Sequence, residues 1–258
     1  MDKALRACLA ELFGTFCLVF LCAATVCVAH LGGRPPLGLV GVALAQGCVV
    51  AALLSATTLA SEGCLNPAVT LALWVTKRFA GRQTLALIAV QLMGAVAAGG
   101  LVAVLFSQEV LSKSFAGTPH LAEALRASLG GVSVGSLLAG VAIEAGLTFL
   151  LTLAVFATLL DPRRPRLGGV PAGLALTAAV LAGYHLTGAA ANPARWFGTA
   201  VWQGTLPTLP MLPAQRVFDD HPVYWMGPVV GALAAGILYS GVLLPPEQGE
   251  APHARPHA

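Results

Sequence analysis

Six long apolar runs constrain this chain more than any other feature. They occupy residues 7–29, 38–60, 84–106, 135–160, 168–187 and 223–244. About twenty consecutive apolar residues match the hydrocarbon thickness of a bilayer, where a helix satisfies its own backbone. A soluble core of buried helices would need charge to cover its surface, yet charged residues make up only 10% of the 258. The sequence therefore reads as an all-α membrane protein with six transmembrane helices. The start, with Lys3 and Arg6 before an apolar stretch, resembles a secretory signal. Glu11 interrupts that stretch, and 7–29 is read as a retained first span.

Cations are distributed unevenly between the connecting segments. Lys3 and Arg6 precede the first span, Lys77, Arg78 and Arg82 lie between the second and third, and Arg163, Arg164 and Arg166 between the fourth and fifth. The alternate segments carry Arg34, Lys113, Arg126 and Arg216. This bias puts both termini on the cytoplasmic side of a plasma (inner) membrane. The net charge of +3 reflects that topology and gives no nucleic-acid patch. All six cysteines, at 8, 17, 22, 27, 48 and 64, fall in the first quarter, and none sits in an outer loop, so no disulfide framework is expected. A polar tail, about 246–258, is expected to be disordered.

The runs form two groups. Glu11 opens "ELFGTFCL" and Glu144 opens "EAGLTFLL"; both read E-x-x-x-T-F-x-L. Each group of three spans also contains one Asn-Pro-Ala, at 66–68 and 192–194, with the asparagines 126 residues apart. Three spans is an odd number, so the second group must cross the bilayer in the opposite sense. The chain is thus a single membrane domain built from an inverted 3+3 repeat, about 7–106 and 135–244.

After each tripeptide comes an apolar segment too short to span, 67–75 and 193–202. Non-helical backbone at membrane depth survives only inside protein or beside water. Each tripeptide is therefore expected to start a re-entrant half-helix. Pro67 and Pro193 suit the first helical position, and Asn66 and Asn192 suit the N-cap. The asparagine oxygen would accept from the first turn, leaving the side-chain NH₂ to donate into a pore. Ala68 and Ala194 permit close approach of the tips. Inverted symmetry would aim both positive helix ends at one central point, opposing cations there.

With those motifs in view, the chain resembles the major intrinsic protein family, the aquaporins and aquaglyceroporins, as a bacterial-type aquaporin-like channel. The resemblance spans roughly 7–244 through "ELFGTF", "LNPAVT", "AVQLMGA", "GAAANPARWFG" and "WMGPVVGA". It implies six tilted spans plus two half-helices, one pore per subunit, a homotetramer, and no cofactor. It also implies a selectivity filter at Gln46, Val180, Ala189 and Arg195. A strict water filter carries phenylalanine and histidine at the first two of these positions, and a glycerol filter two aromatics; this chain has neither set. Trp196 and Ala200 stand where glycerol channels often carry aspartate and a basic residue. Tyr224-Trp225 looks water-like, or forms an interfacial aromatic belt.

Glu11 and Glu144 are expected to accept from loop N–H groups as a scaffold. The stretch Glu62, Gly63 and Cys64 is expected to line the inner pore, with Glu62 a vestibule charge or a partner of Lys77 or Arg78, and Cys64 a mercurial target or an inert thiol. Gly94, Ala98, Gly227 and Gly231 fit close helix packing. His185 beside Tyr184 reads as a wetted surface residue.

The expected function is a passive channel for water and other small neutral solutes such as ammonia, hydrogen peroxide and urea, excluding protons and ions. A polyol channel is the alternative. A secondary active transporter also accounts for inverted repeats and intramembrane acids. No paired metal ligands, nucleophile–base set or nucleotide loop points to an enzyme.

Overall fold

The computed structural model describes residues 1–31, 37–61, 64–131, 133–159, 167–205 and 219–244. The tail and the cations Arg34, Arg163, Arg164, Arg166 and Arg216 lie outside the described residues. In chain order the helices are α1 (Lys3–Val28), α2 (Leu39–Ser61), α3 (Pro67–Val75), α4 (Gly81–Leu105), α5 (Gln108–Ser114), α6 (Glu123–Ser128), α7 (Val134–Leu159), α8 (Val170–Thr187), α9 (Pro193–Thr205) and α10 (His221–Leu238). A π-turn, Tyr239–Leu243, prolongs α10. Among the described residues there is no strand. Among the described residues, six helices are long and apolar enough to cross a membrane: α1, α2, α4, α7, α8 and α10 with its π-turn. Their outward faces are apolar, with Val104 82% and Leu85 71% exposed, as suits contact with lipid.

The inverted repeat is visible in which helices touch. α1 packs on α4 in the first half, and α7 packs on α10 in the second. α2 against α8 joins the halves. Each half-helix leans on the last span of the opposite half, α3 on α10 and α9 on α4. This exchange interlocks the two halves, so neither has a complete core without the other.

Small residues set the distances. A Cβ added at Gly94 would meet the Leu12 carbonyl oxygen at 2.3 Å, and one at Gly231 the Ala145 oxygen at 2.0 Å. Ala98, the remaining small residue expected at these contacts with Gly227, is fully buried. At the join between halves, Gly47 and Gly173 face each other: a Cβ on Gly47 would come 2.6 Å from the Gly173 oxygen, and one on Gly173 would come 2.4 Å from the Gly47 oxygen. Backbones this close gain dispersion contacts that bulkier side chains would forbid.

The sequence reading saw nothing helical between the third and fourth spans. The structure puts two short helices there, α5 and α6. Their loop is clamped to the start of α10. Asp220 accepts from the Leu121 N–H at 2.9 Å and from the Arg126 guanidinium in a buried ion pair. Arg126, counted from the sequence as a loop cation, is thus an internal tie. Burial pushes the Asp220 carboxyl above its ordinary range, against the Leu121 N–H and Arg126, and holds the neighbouring His120 imidazole below its own.

Candidate functional site

Asn66 is the N-cap of α3, in extended backbone conformation, and Pro67 takes the first helical position. The Asn66 side-chain oxygen accepts from the Ala68 N–H at 3.0 Å. The second tripeptide repeats this geometry: the Asn192 oxygen accepts from the Ala194 N–H at 2.9 Å, and α9 begins at Pro193. Short polar caps satisfy first-turn donors that have no partner in the helix.

The two tips then bind each other. Asn66 Nδ2 donates to the Ala191 oxygen at 2.8 Å, and Asn192 Nδ2 donates to the Leu65 oxygen at 2.9 Å. The sequence reading gave the whole NH₂ of each asparagine to the pore. The structure corrects this: one hydrogen of each ties the opposite loop, and the second remains. Fixing each amide at both its oxygen and its nitrogen removes rotamer freedom, so that second N–H has a set direction.

Two buried carboxylates shape the loops that lead into the tips. Glu11 on α1 accepts from the Cys64 N–H at 3.1 Å, from the Leu65 N–H at 2.7 Å and from Gln91 Nε2 at 2.7 Å. Glu144 on α7 accepts from the Ala190 N–H at 3.0 Å, from the Ala191 N–H at 2.8 Å and from the Thr187 hydroxyl at 2.6 Å. Leu65 and Ala191 both adopt positive φ, 44° and 48°, as does Ala189 at 48°. A side chain in that region costs about 1 kcal/mol or more. The carboxylates hold the backbone there, and the twist turns the Leu65 and Ala191 carbonyls toward the opposite asparagines.

Arg195 follows the second tip and is 3% exposed. Its Nη2 donates to the Gln46 oxygen at 3.4 Å, a long bond, while Gln46 Nε2 donates to the Cys22 carbonyl at 3.4 Å. The Cys22 thiol also lies beside the guanidinium. Nε and Nη1 of Arg195 are buried with no acceptor among the described residues. Val180 and Ala189 are fully buried, the first within α8 and the second on the loop that follows it. Gln46 and Arg195 are thus brought together by a direct bond.

Two cavities meet at this arginine. One, about 380 Å³, is lined by His30, His120, Tyr184, His185 and Arg195. The other, about 30 Å³, has room for a water or two and is lined by Asn66, Asn192, Cys64, Leu65 and Arg195 among apolar side chains. His185, read as a wetted surface residue, is exposed at the rim of the larger cavity with its ring against Tyr184. Glu62 and Gly63 lie outside the described residues.

The supporting roles of two residues are visible only in the structure. Gln91 donates to Glu11 and to the Thr70 hydroxyl, at 2.7 and 3.0 Å. Tyr224 is fully buried, donates to the Thr187 oxygen at 2.6 Å, and stacks on Trp196 with centroids 5.4 Å apart. An interfacial belt is therefore excluded for Tyr224; its partner in that pair, Trp225, sits partly exposed against Phe197. An available signal was spacing: Gln91 and Tyr224 are 80 residues beyond Glu11 and Glu144 respectively, so they occupy matching places in the two halves.

Comparison with known proteins places this geometry. The family model described as major intrinsic protein matches residues 1–239. Aquaporin TIP4-4 of Zea mays is 40% identical over 245 residues, covering 93% of this chain and 87% of that protein. The lens fiber major intrinsic protein of Ovis aries is 37% identical over 243 residues, covering 93% and 82%. Among solved structures, the aquaglyceroporin from Plasmodium falciparum superposes with a TM-score of 0.74 at 19% identity, over 93% of this chain and 97% of that one; this likeness concerns the fold.

Proposed function

Because the chain belongs to the major intrinsic protein family, whose members are passive channels and not enzymes, we propose that it conducts water in single file, with other small neutral solutes, and excludes protons and ions. The observation that carries this reading is the pair of capped, cross-tied helix tips beside a cavity the size of a water or two. A water passing the tips accepts from the remaining N–H of Asn66 and of Asn192. Its own hydrogens then point away along the pore, which breaks a proton-hopping chain. Both half-helix dipoles and Arg195 oppose cations at the same place.

Gln46, Val180, Ala189 and Arg195 form the constriction in this reading. Nε and Nη1 of Arg195, which have no acceptor among the described residues, donate to the passing solute. Gln46 puts a flexible amide where a flat ring would stack a carbon skeleton, and this disfavours polyols. Glu11 and Glu144 act as scaffold: every contact found for them runs to the tip loops or their supports, not to a coupled ion site. Cys64 lines the water-sized cavity, with Glu62 and Gly63 preceding it. The working assembly is a homotetramer with both termini cytoplasmic in the inner membrane.

Stopped-flow light scattering of proteoliposomes tests the reading. Water flow is expected to exceed that of empty vesicles with no ion gradient present, and glycerol entry to be slow. Shrinkage at the empty-vesicle rate refutes the water channel. Rapid glycerol entry replaces it with a polyol channel, and uptake that requires a proton or sodium gradient replaces it with a transporter.

A further inference from the structure

A cavity of about 700 Å³ opens where α1 and α4 begin and α2 ends, well removed from the pore constriction. Lys3, Arg78 and Arg82 line it, with Asp2 the one carboxylate among its lining residues. None of these three cations pairs with a carboxylate among the described residues. The inner wall is apolar, with Ala7, Phe79 and Leu87 buried there.

We propose that this cavity binds the phosphate headgroup of an anionic phospholipid. Among the described lining residues, three cations stand against one carboxylate, an excess of positive charge. Guanidinium groups match phosphate oxygens two at a time, and an ammonium adds a point charge. The helix ends add to this: α1 and α4 both start at the cavity with no side-chain cap and no acidic residue in the first turn. Their first N–H groups therefore remain donors beside the cations.

Position favours a lipid over a free anion. The cavity lies at the ends of three spans, the level at which headgroups sit. On the same two helices, Leu5 is 51% and Leu85 71% exposed, so an apolar surface runs from the site along the bilayer. A soluble phosphate would gain nothing from that surface or from the apolar inner wall. Basic pockets between spans recognise anionic lipids through this combination of charge and hydrocarbon contact. The site is independent of which solute the pore conducts.

The test uses the full chain purified in a neutral detergent. Dihexanoyl-phosphatidylglycerol, dihexanoyl-phosphatidylcholine and inorganic phosphate are added separately, and binding is read by native mass spectrometry alongside the thermal midpoint. The glycerol lipid is expected to bind and to raise the midpoint; the choline lipid and phosphate are not. Arg78→Gln and Arg82→Gln should each weaken binding about fivefold, the double variant about 25-fold, and Lys113→Gln at the opposite end not at all. Circular dichroism checks that the variants are folded. Equal binding of the choline lipid, or undiminished binding to the folded double variant, overturns the proposal. A midpoint rise with phosphate equal to that with the anionic lipid overturns it in favour of a free-anion site.

Discussion

The two half-helix tips are near copies that differ at one decisive place. Asn66 and Asn192 cap in the same way, and each donates to the loop of the other. Glu11 and Glu144 hold the two loops through equivalent N–H pairs. Three residues after each asparagine the copies part: Val69 stands in α3 and Arg195 in α9. Val69 is fully buried and apolar, while Arg195 is buried with two donor nitrogens unspent. In the proposed function both tips offer an amide donor and a helix dipole, and the second adds the charge of Arg195.

Making the second tip resemble the first should have the largest effect. Arg195→Val is expected to raise cation or proton conductance in planar bilayers on the order of tenfold or more, because a buried unit charge opposes a nearby cation by several kcal/mol. Unchanged conductance would remove Arg195 from this role. The converse variant, Val69→Arg, places a charge in a packed site with no acceptor provided and should fail to assemble.

The carboxylates offer a comparison of supports. Glu11→Gln and Glu144→Gln each keep the shape but replace one acceptor with a donor aimed at a loop N–H. A loss of about 2 to 4 kcal/mol is expected for each, measured as denaturant resistance in detergent. If only one variant is destabilised, the two loops are not energetic equivalents.

A smaller asymmetry lies in the second layer. Tyr224→Phe removes one hydrogen bond to the Thr187 oxygen and should cost about 1 kcal/mol in the same assay. Gln91→Leu strands the Thr70 and Glu11 partners of a central amide and should cost more.

The smallest effect belongs to the clamped loop between α4 and α7, which has no described counterpart in the first half. Folded His120 resists protonation because it is buried, although Asp220 and Glu123 pull the other way and Arg126 adds to the resistance. As pH falls below the ordinary imidazole value of about 6.5, the undocked loop binds protons more readily than the docked one. Docking should therefore weaken with acidification until the lower folded value is passed, and then level off. A lower protection factor in residues 115–128 at pH 5 than at pH 7, with the intrinsic pH dependence of amide exchange divided out and the difference abolished by His120→Gln, is the expected result.

Much of the architecture was legible because bilayers impose severe rules. An apolar run of sufficient length has one way to satisfy its backbone, so the six spans could be read to within a few residues. α1 nonetheless begins at Lys3 where the reading began at 7, and α9 runs to Thr205 where it ended at 202. Polar and basic side chains at those ends continue a helix once water or protein can solvate them. The start of α3 was read to the residue, since Asn-Pro-Ala combines a preferred cap with a preferred first residue. α5 and α6 left no periodic trace, being under two turns long, and α6 is held by Asp220 from a distant segment.

The sequence by itself determined the inverted repeat, the starts of both half-helices and the identity of the residues at their tips. Those follow from local preferences and from a span count that is odd. Tertiary structure alone decided that each asparagine divides its amide between its own helix and the facing loop, that Gln46 reaches Arg195, and that Tyr224 turns inward. Each of these joins groups far apart in sequence, and such contacts depend on how closely glycine-lined helices can pack, which no local pattern encodes.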